Sequence, residues 1–203
     1  SGFPGETGGR VRKPGSWKPV EHATMSYGYG LSVSLLQLAR AYMAFANDGE
    51  VVPLSFVRRE PHEVAGVRVF SPEVARQVRG MMEAVTAQGG TGMRTRVPGY
   101  RVAGKTGTAH KVVDGRYAPD RYLSSFVGMA PASDPRLIIA VAIDEPSGGT
   151  YYGGSVAGPV FAQVMGAGLR HLGLPPDAPE TLEGAPTRLT RREPAPPAHP
   201  AAP

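Results

Sequence analysis

The sequence predicts an α+β domain. Two kinds of observation carry that prediction: apolar residues recur at helical spacing in three separate stretches, and two β-branched runs are joined by a six-residue link, Pro131–Arg136, suited to an antiparallel hairpin. Residues 1–22 are rich in Gly and Pro without periodicity and are predicted as extended loop. A domain rarely begins with such a stretch, so an upstream half is expected before it. Ser34 and Gln37 fit a capping box, Val33 and Leu38 are placed for a hydrophobic staple, and Leu35, Leu38, Ala39, Tyr42 and Ala46 repeat on one face. That helix, 34–47, is predicted to end at Asn47-Asp48-Gly49. A short β-like run follows from Val51 to Val57. Ser71 then caps a second helix with Pro72 in its first turn and Val74, Val78, Met81, Met82 and Val85 on one side, stopped by residues 88–92.

Three strands are predicted next, at 100–109, 122–130 and 137–143, the first two separated by a loop containing Asp114-Gly115. The last, Leu-Ile-Ile-Ala-Val-Ala-Ile, is apolar on both faces and is expected to be central. A Gly-rich loop with paired aromatics, 148–154, leads to a third helix from about Pro159 to Leu172, with Phe161, Val164, Met165, Leu169 and Leu172 inward. From Gly173 onward nine of 31 residues are Pro and aliphatic periodicity is lost. The sequence therefore divides into a domain over 1–174 and a Pro-rich disordered tail over 175–203.

Composition narrows the chemistry. The 203 residues are 41% hydrophobic and 19% charged with a formal charge of +5 and no Cys, which excludes disulfides, thiolate metal sites and a cysteine nucleophile. The five His (22, 62, 110, 171, 199) lack metal-binding spacing, so no metal and no cofactor is expected. No apolar run approaches the roughly 20 residues of a membrane span. Lys and Arg are spread out, part of the surplus lying at Arg188, Arg191 and Arg192, so no nucleic-acid partner is expected.

Residues Gly99–Thr106 match the phosphate-loop string GxxxxGK[ST], and residues 137–143 followed by Asp144-Glu145 imitate its acidic partner strand. A phosphate loop must follow a buried strand and open into a helix, whereas Thr106-Gly-Thr-Ala-His-Lys-Val-Val-Asp-Gly carries β-branched residues, an early Gly and a turn signal. The alternative reading places Lys105-Thr106-Gly107-Thr108 on a strand. Alternate side chains then share a face, so Thr106 and Thr108 can offer two hydroxyls to one carboxylate. Gly107 leaves room for a helix or ligand to come close, and Lys105 supplies positive charge that favours an anionic substrate.

Further segments join these residues: Gly2–Glu6, Ala23–Val33 with Leu36–Tyr42, Val85-Thr86 with Gly89-Gly90-Thr91-Gly92, Val97–Ala109, Ser125–Pro131 and 151–159. In order and spacing they resemble the C-terminal half of the transpeptidase domain of class B penicillin-binding proteins, most of all the division-specific, FtsI-like branch. The resemblance implies the penicillin-binding protein/β-lactamase-like fold, with a five-stranded antiparallel sheet flanked by helices and the KTG strand at the edge by the cleft. It implies a septal peptidoglycan D,D-transpeptidase: a serine acylated by the D-Ala-D-Ala end of a stem peptide, or trapped by β-lactams. It assigns Lys105 to the field around the serine, Thr106 and Thr108 to the substrate carboxylate with Gly107 between them, and the Thr108 N–H to an oxyanion hole. Tyr29 and His110 would line the cleft, Tyr151 and Tyr152 would form an aromatic wall, and Tyr27 would pack inside. Division-machinery partners, a periplasmic location and a membrane anchor upstream belong to the same implication.

One departure is plain. No Ser in the chain has Lys three residues later or Asn two residues later, so S-x-x-K and S-x-N are both absent. The chain is accordingly expected to be an inactive fragment, with one side of its core uncovered and poor stability alone. Two other readings stand beside it: a P-loop nucleotide hydrolase, and a non-catalytic module that binds a carboxylate or stem peptide.

Overall fold

Ser34 and Ser71 start their helices as the sequence predicts. The computed structural model describes residues 3–60 and 64–181. Helix α2 is Leu35–Ala46, and the Ser34 hydroxyl accepts from the Gln37 N–H at 3.1 Å while the Gln37 side chain accepts from the Ser34 N–H at 2.9 Å. Helix α3 is Pro72–Glu83, with the Ser71 hydroxyl accepting from the Val74 N–H at 3.3 Å. A short helix α1, Pro19–Met25, crosses the stretch expected to be loop; Pro19 opens it, and Glu21 accepts from the Lys18 N–H at 2.8 Å.

Strands β1 (Glu50–Val51) and β2 (Val67–Arg68) form a two-residue ladder, so the β-like run to Val57 shrinks to its beginning. The main sheet contains β3 (Ala103–Val113), β4 (Arg116–Ala130) and β5 (Leu137–Asp144), antiparallel in the order β3-β4-β5. Asp114 and Gly115 have φ of 50° and 76°, the signs a two-residue type I′ turn requires. The expected loop is therefore this tight turn, and both strands are longer than predicted. Among the described residues β5 lies at an edge and β4 is central. The apolar character of β5 comes from helices: Ile139, Val141 and Ile143 pack against the cluster containing Phe161, and Ile138 packs against the one bordered by Tyr42, Phe45 and Ala46. Two-sided burial by helices produces the same sequence pattern as two flanking strands.

Helix α4, Gly153–His171, begins six residues before the predicted Pro159, which lies inside it. Phe161, Met165 and Leu169, spaced by four, are fully buried against Phe126, whereas Val164 and Leu172 are about half exposed. Helices α2 and α3 cover the opposite face, where Ala103, Met129 and Ala132 are buried. Residues 175–181, assigned from composition to the tail, are tied to the body. Asp177 accepts from the Arg101 N–H at 2.7 Å and from the Ser133 hydroxyl at 2.7 Å, and Thr181 Oγ1 accepts from the Gly99 N–H at 2.7 Å. Residues 182–203, together with 1–2 and 61–63, lie outside the described residues.

Two predictions follow from this packing. Phe161→Ala should lower stability by about 3–5 kcal/mol and Val164→Ala by less than about 1 kcal/mol, read as urea midpoints; equal losses would contradict the α4 assignment. Asp48, at φ 45°, accepts from Arg76 at 3.1 and 2.6 Å and from Arg79 at 3.3 Å, and these bonds, Arg76 first, hold its carboxyl below the usual range. A carboxyl depressed in the folded state stabilises above its unfolded pKa and loses that contribution as pH falls through the folded value. Asp48→Asn, which keeps a side chain tolerant of positive φ, should flatten the stability–pH curve below about pH 4 by a few tenths of a kcal/mol.

Candidate active site

Among the described residues β3 has β4 on one side only, so its other edge borders the site. The register sets Thr106 opposite Phe126 and Thr108 opposite Ser124, on the face covered by α4. Lys105, opposite Val127, and Gly107, opposite Ser125, belong to the other face. The two hydroxyls thus share a side as predicted, while the Lys105 ammonium reaches round to the Thr106 carbonyl at 2.8 Å.

The start of α4 sits on this strand. The Gly153 N–H, one of the donors a helix start leaves unpaired, donates to Thr108 Oγ1 at 3.1 Å. A Cβ on Gly153 would overlap the carbonyls of Gly107 and Ser125, and one on Gly154 would overlap the Thr91 carbonyl. Close approach of the helix therefore depends on Gly153 and Gly154; Gly107 instead makes room for the Ser125 hydroxyl. The buried Ser124 hydroxyl donates to the Tyr151 carbonyl and pins the loop before the helix. Thr106 Oγ1 lies 3.0 Å from Thr91 Oγ1.

On the Lys105 side a trough of about 600 Å³ opens between the sheet (Lys105–Ala109, Leu123, Ser125, Val127) and the segment carrying Tyr29, Leu35, Leu38 and Tyr42. Burial pushes the Tyr42 phenol up to about 12, so it stays neutral at physiological pH. Tyr27 also lines the trough and is 67% exposed, contrary to the interior position expected for it.

His110, Tyr151 and Tyr152 come together through a residue that the sequence did not single out. Tyr122, the register partner of His110, lies 4.6 Å from its ring and stacks on Tyr151 at 4.0 Å, and Tyr151 lies 4.7 Å from Tyr152. His110 Nδ1 is 3.0 Å from the Ala118 carbonyl, which only accepts, so Nδ1 carries the proton there. Tyr29 stands apart from this array, edge-on to Tyr117. The tight Asp114-Gly115 turn alone would pair His110 with Pro119, and it is the register shift between His110 and Val112 that brings Tyr122 opposite it, so no local signal identified Tyr122; the doubled glycine at 153–154 and Thr91 in its Gly-rich turn were visible but carried no local signal of contact.

The phosphate-loop reading is overturned. Residues Ala103–Thr106 are strand, β3 runs through a turn into β4 rather than into a helix, and the acidic pair Asp144 and Glu145 is held by Lys111 at 2.8 and 2.7 Å. Among the described residues no cluster of three His, Asp or Glu is placed to hold a metal.

Residues 1–166, which include the edge strand carrying Lys-Thr-Gly-Thr, are matched by a family model described as penicillin binding protein transpeptidase domain. The chain belongs to that family. A probable peptidoglycan D,D-transpeptidase PenA of Neisseria gonorrhoeae is 52% identical over 189 residues, covering 92% of this chain and 32% of the relative. The peptidoglycan D,D-transpeptidase FtsI of Escherichia coli K12 is 46% identical over 178 residues, covering 87% and 30%. The TP domain of Burkholderia pseudomallei penicillin-binding protein 3 superposes with a TM-score of 0.81 at 52% identity, covering 87% of this chain and 54% of that one. The chain thus spans about a third of the length of these curated relatives.

The helix docking is testable by a single methyl. Gly→Ala inside a helix ordinarily stabilises by about 0.5–1 kcal/mol, but Gly154→Ala should destabilise by about 1–3 kcal/mol because the methyl meets the Thr91 backbone. Gly148→Ala, with open space around it, should stay within about 0.5 kcal/mol of the parent. Thermal unfolding of the two variants gives the comparison.

Proposed function

We propose that this chain forms the carboxylate-recognising side of a penicillin-binding D,D-transpeptidase site acting in septal peptidoglycan cross-linking. The observation that carries the reading is Lys105-Thr106-Gly107-Thr108 on the open edge of β3, with both hydroxyls on one face and the trough beside Lys105. The terminal carboxylate of a D-Ala-D-Ala stem peptide, or the carboxylate of a β-lactam, accepts from Thr106 and Thr108 within the field of Lys105. The scissile carbonyl then lies along the strand edge, where the Thr108 N–H is one donor to the oxyanion. His110, Tyr151 and Tyr152 flank the α4 side of the cradle, and Tyr29 flanks the trough side.

Acyl transfer also needs a nucleophile and a group that activates it. No Ser of this chain has the S-x-x-K spacing, so acylation depends on residues outside these 203, and the chain alone is inactive. A periplasmic location, an anchor outside the chain and contacts with division proteins complete the reading. No described helix is long and apolar enough to cross a membrane.

Intact-mass measurement after incubation with a fluorescent penicillin should show no adduct on the chain, while NMR should show reversible shifts of the β3 amides that Thr108→Val abolishes. A stoichiometric adduct would overturn the assignment of the nucleophile. Magnesium-dependent ATP binding lost in Lys105→Ala would overturn the transpeptidase reading itself.

A further inference from the structure

We propose that Thr91, in the turn Gly89–Gly92, is a positioning residue that sets the hydrogen-bond polarity of Thr106 toward an anionic ligand. The inference rests on the carboxylate-cradle reading above and adds to it a residue outside the KTG strand.

Three observations converge on Thr91. First, its turn is held from below: the Gly92 N–H donates to the Val85 carbonyl at 2.9 Å, the Gly90 N–H donates to the Ala87 carbonyl at 2.9 Å, and the buried Thr95 donates through N–H and hydroxyl to the Gly92 carbonyl at 2.8 and 2.6 Å. Side chains are excluded at its two inner glycines, since a Cβ on Gly90 would overlap the Ala84 and Val85 carbonyls and one on Gly92 would come within 2.9 Å of Val85. Second, α4 closes the turn from the other side, where Gly154 lies directly against the Thr91 carbonyl. Third, Thr91 Oγ1 is 3.0 Å from Thr106 Oγ1, while the Thr106 methyl faces Gly154. A β-branched side chain confined at both its methyl and its hydroxyl has one usable rotamer, so Thr106 is fixed before any ligand arrives.

The hydroxyl pair has a further consequence. Each Thr hydroxyl has one proton and two acceptor sites. If Thr106 donates to Thr91, it has no proton for a ligand. An incoming carboxylate can only accept, so the arrangement that satisfies every group is Thr91 donating to Thr106 and Thr106 donating to the anion. Thr108 has the same polarity already, because it accepts from the Gly153 N–H and its own proton points elsewhere. Each ligand-facing hydroxyl is thus backed by a donor behind it, a peptide N–H for Thr108 and a hydroxyl for Thr106. Hydrogen bonds in such chains polarise one another, which strengthens the terminal bond to an anion.

The experiment titrates the 203-residue chain with acetyl-D-alanyl-D-alanine and with its C-terminal amide, following the amides of residues 105–110 by NMR. The acid should bind and the amide should bind much more weakly. Thr91→Val, which keeps shape and removes the hydroxyl, should weaken the acid by about fivefold and leave the amide unchanged, and Thr91→Ser should restore the acid. Unperturbed α4 amides in Thr91→Val would show that the fold is kept; if they move, the comparison passes to Thr91→Ser against Thr91→Ala, for which the same acid-selective difference is expected. Equal weakening of acid and amide, or no weakening in a variant with α4 intact, overturns the role of Thr91 while leaving the cradle standing. Acid and amide binding alike to the parent, or neither binding, overturns the carboxylate cradle and this inference with it.

Discussion

The contact on which the site depends is the approach of the first turn of α4 to the edge of the sheet. Gly153 and Gly154 bring helix backbone within reach of Gly107, Ser125 and Thr91, where any Cβ would collide. A glycine pair is an entropically costly way to begin a helix. The cost is offset by what the approach creates: an N–H on Thr108, a fixed position for Thr106, and burial of Phe161, Met165 and Leu169 against Phe126. The register of Tyr151 over Tyr122 follows from the same anchor through the Ser124 hydroxyl.

The two faces of β3 then differ in chemistry. The α4 face presents hydroxyls and an aromatic array, and the opposite face presents Lys105 above an apolar trough. An edge strand lets both sets be approached from one side, so a cation on one face and two neutral donors on the other can act on one ligand even though Lys105 and Thr106 are neighbours along the chain. The strap of residues 174–181 steadies the start of this strand: Asp177 holds the Arg101 N–H, the Ala178 N–H donates to the Gly99 carbonyl at 3.0 Å, and the Tyr100 hydroxyl donates to the Leu174 carbonyl at 2.7 Å.

Local signals were legible in the sequence and long-range ones were not. The caps at Ser34 and Ser71 act within three residues, and the alternation that puts Thr106 and Thr108 together acts within two; both stand as expected. Pro159 looked like a helix start because its propensity is local, whereas the true start at Gly153 is chosen by packing against strands far away in sequence. Likewise Pro-rich composition hid Asp177 and Thr181, whose partners at 101 and 99 are 76 and 82 residues distant. Apolar periodicity over-buried Val164 and Leu172, since period alone does not say how wide a stripe the sheet will cover.

The most direct measurement of the central claim is a crystal structure of the chain with acetyl-D-alanyl-D-alanine. The account predicts the terminal carboxylate within hydrogen-bond distance of both Thr106 Oγ1 and Thr108 Oγ1, with Gly153 still donating to Thr108 and the trough beside Lys105 open. A carboxylate paired instead with Lys111 near the far end of β3 would contradict it.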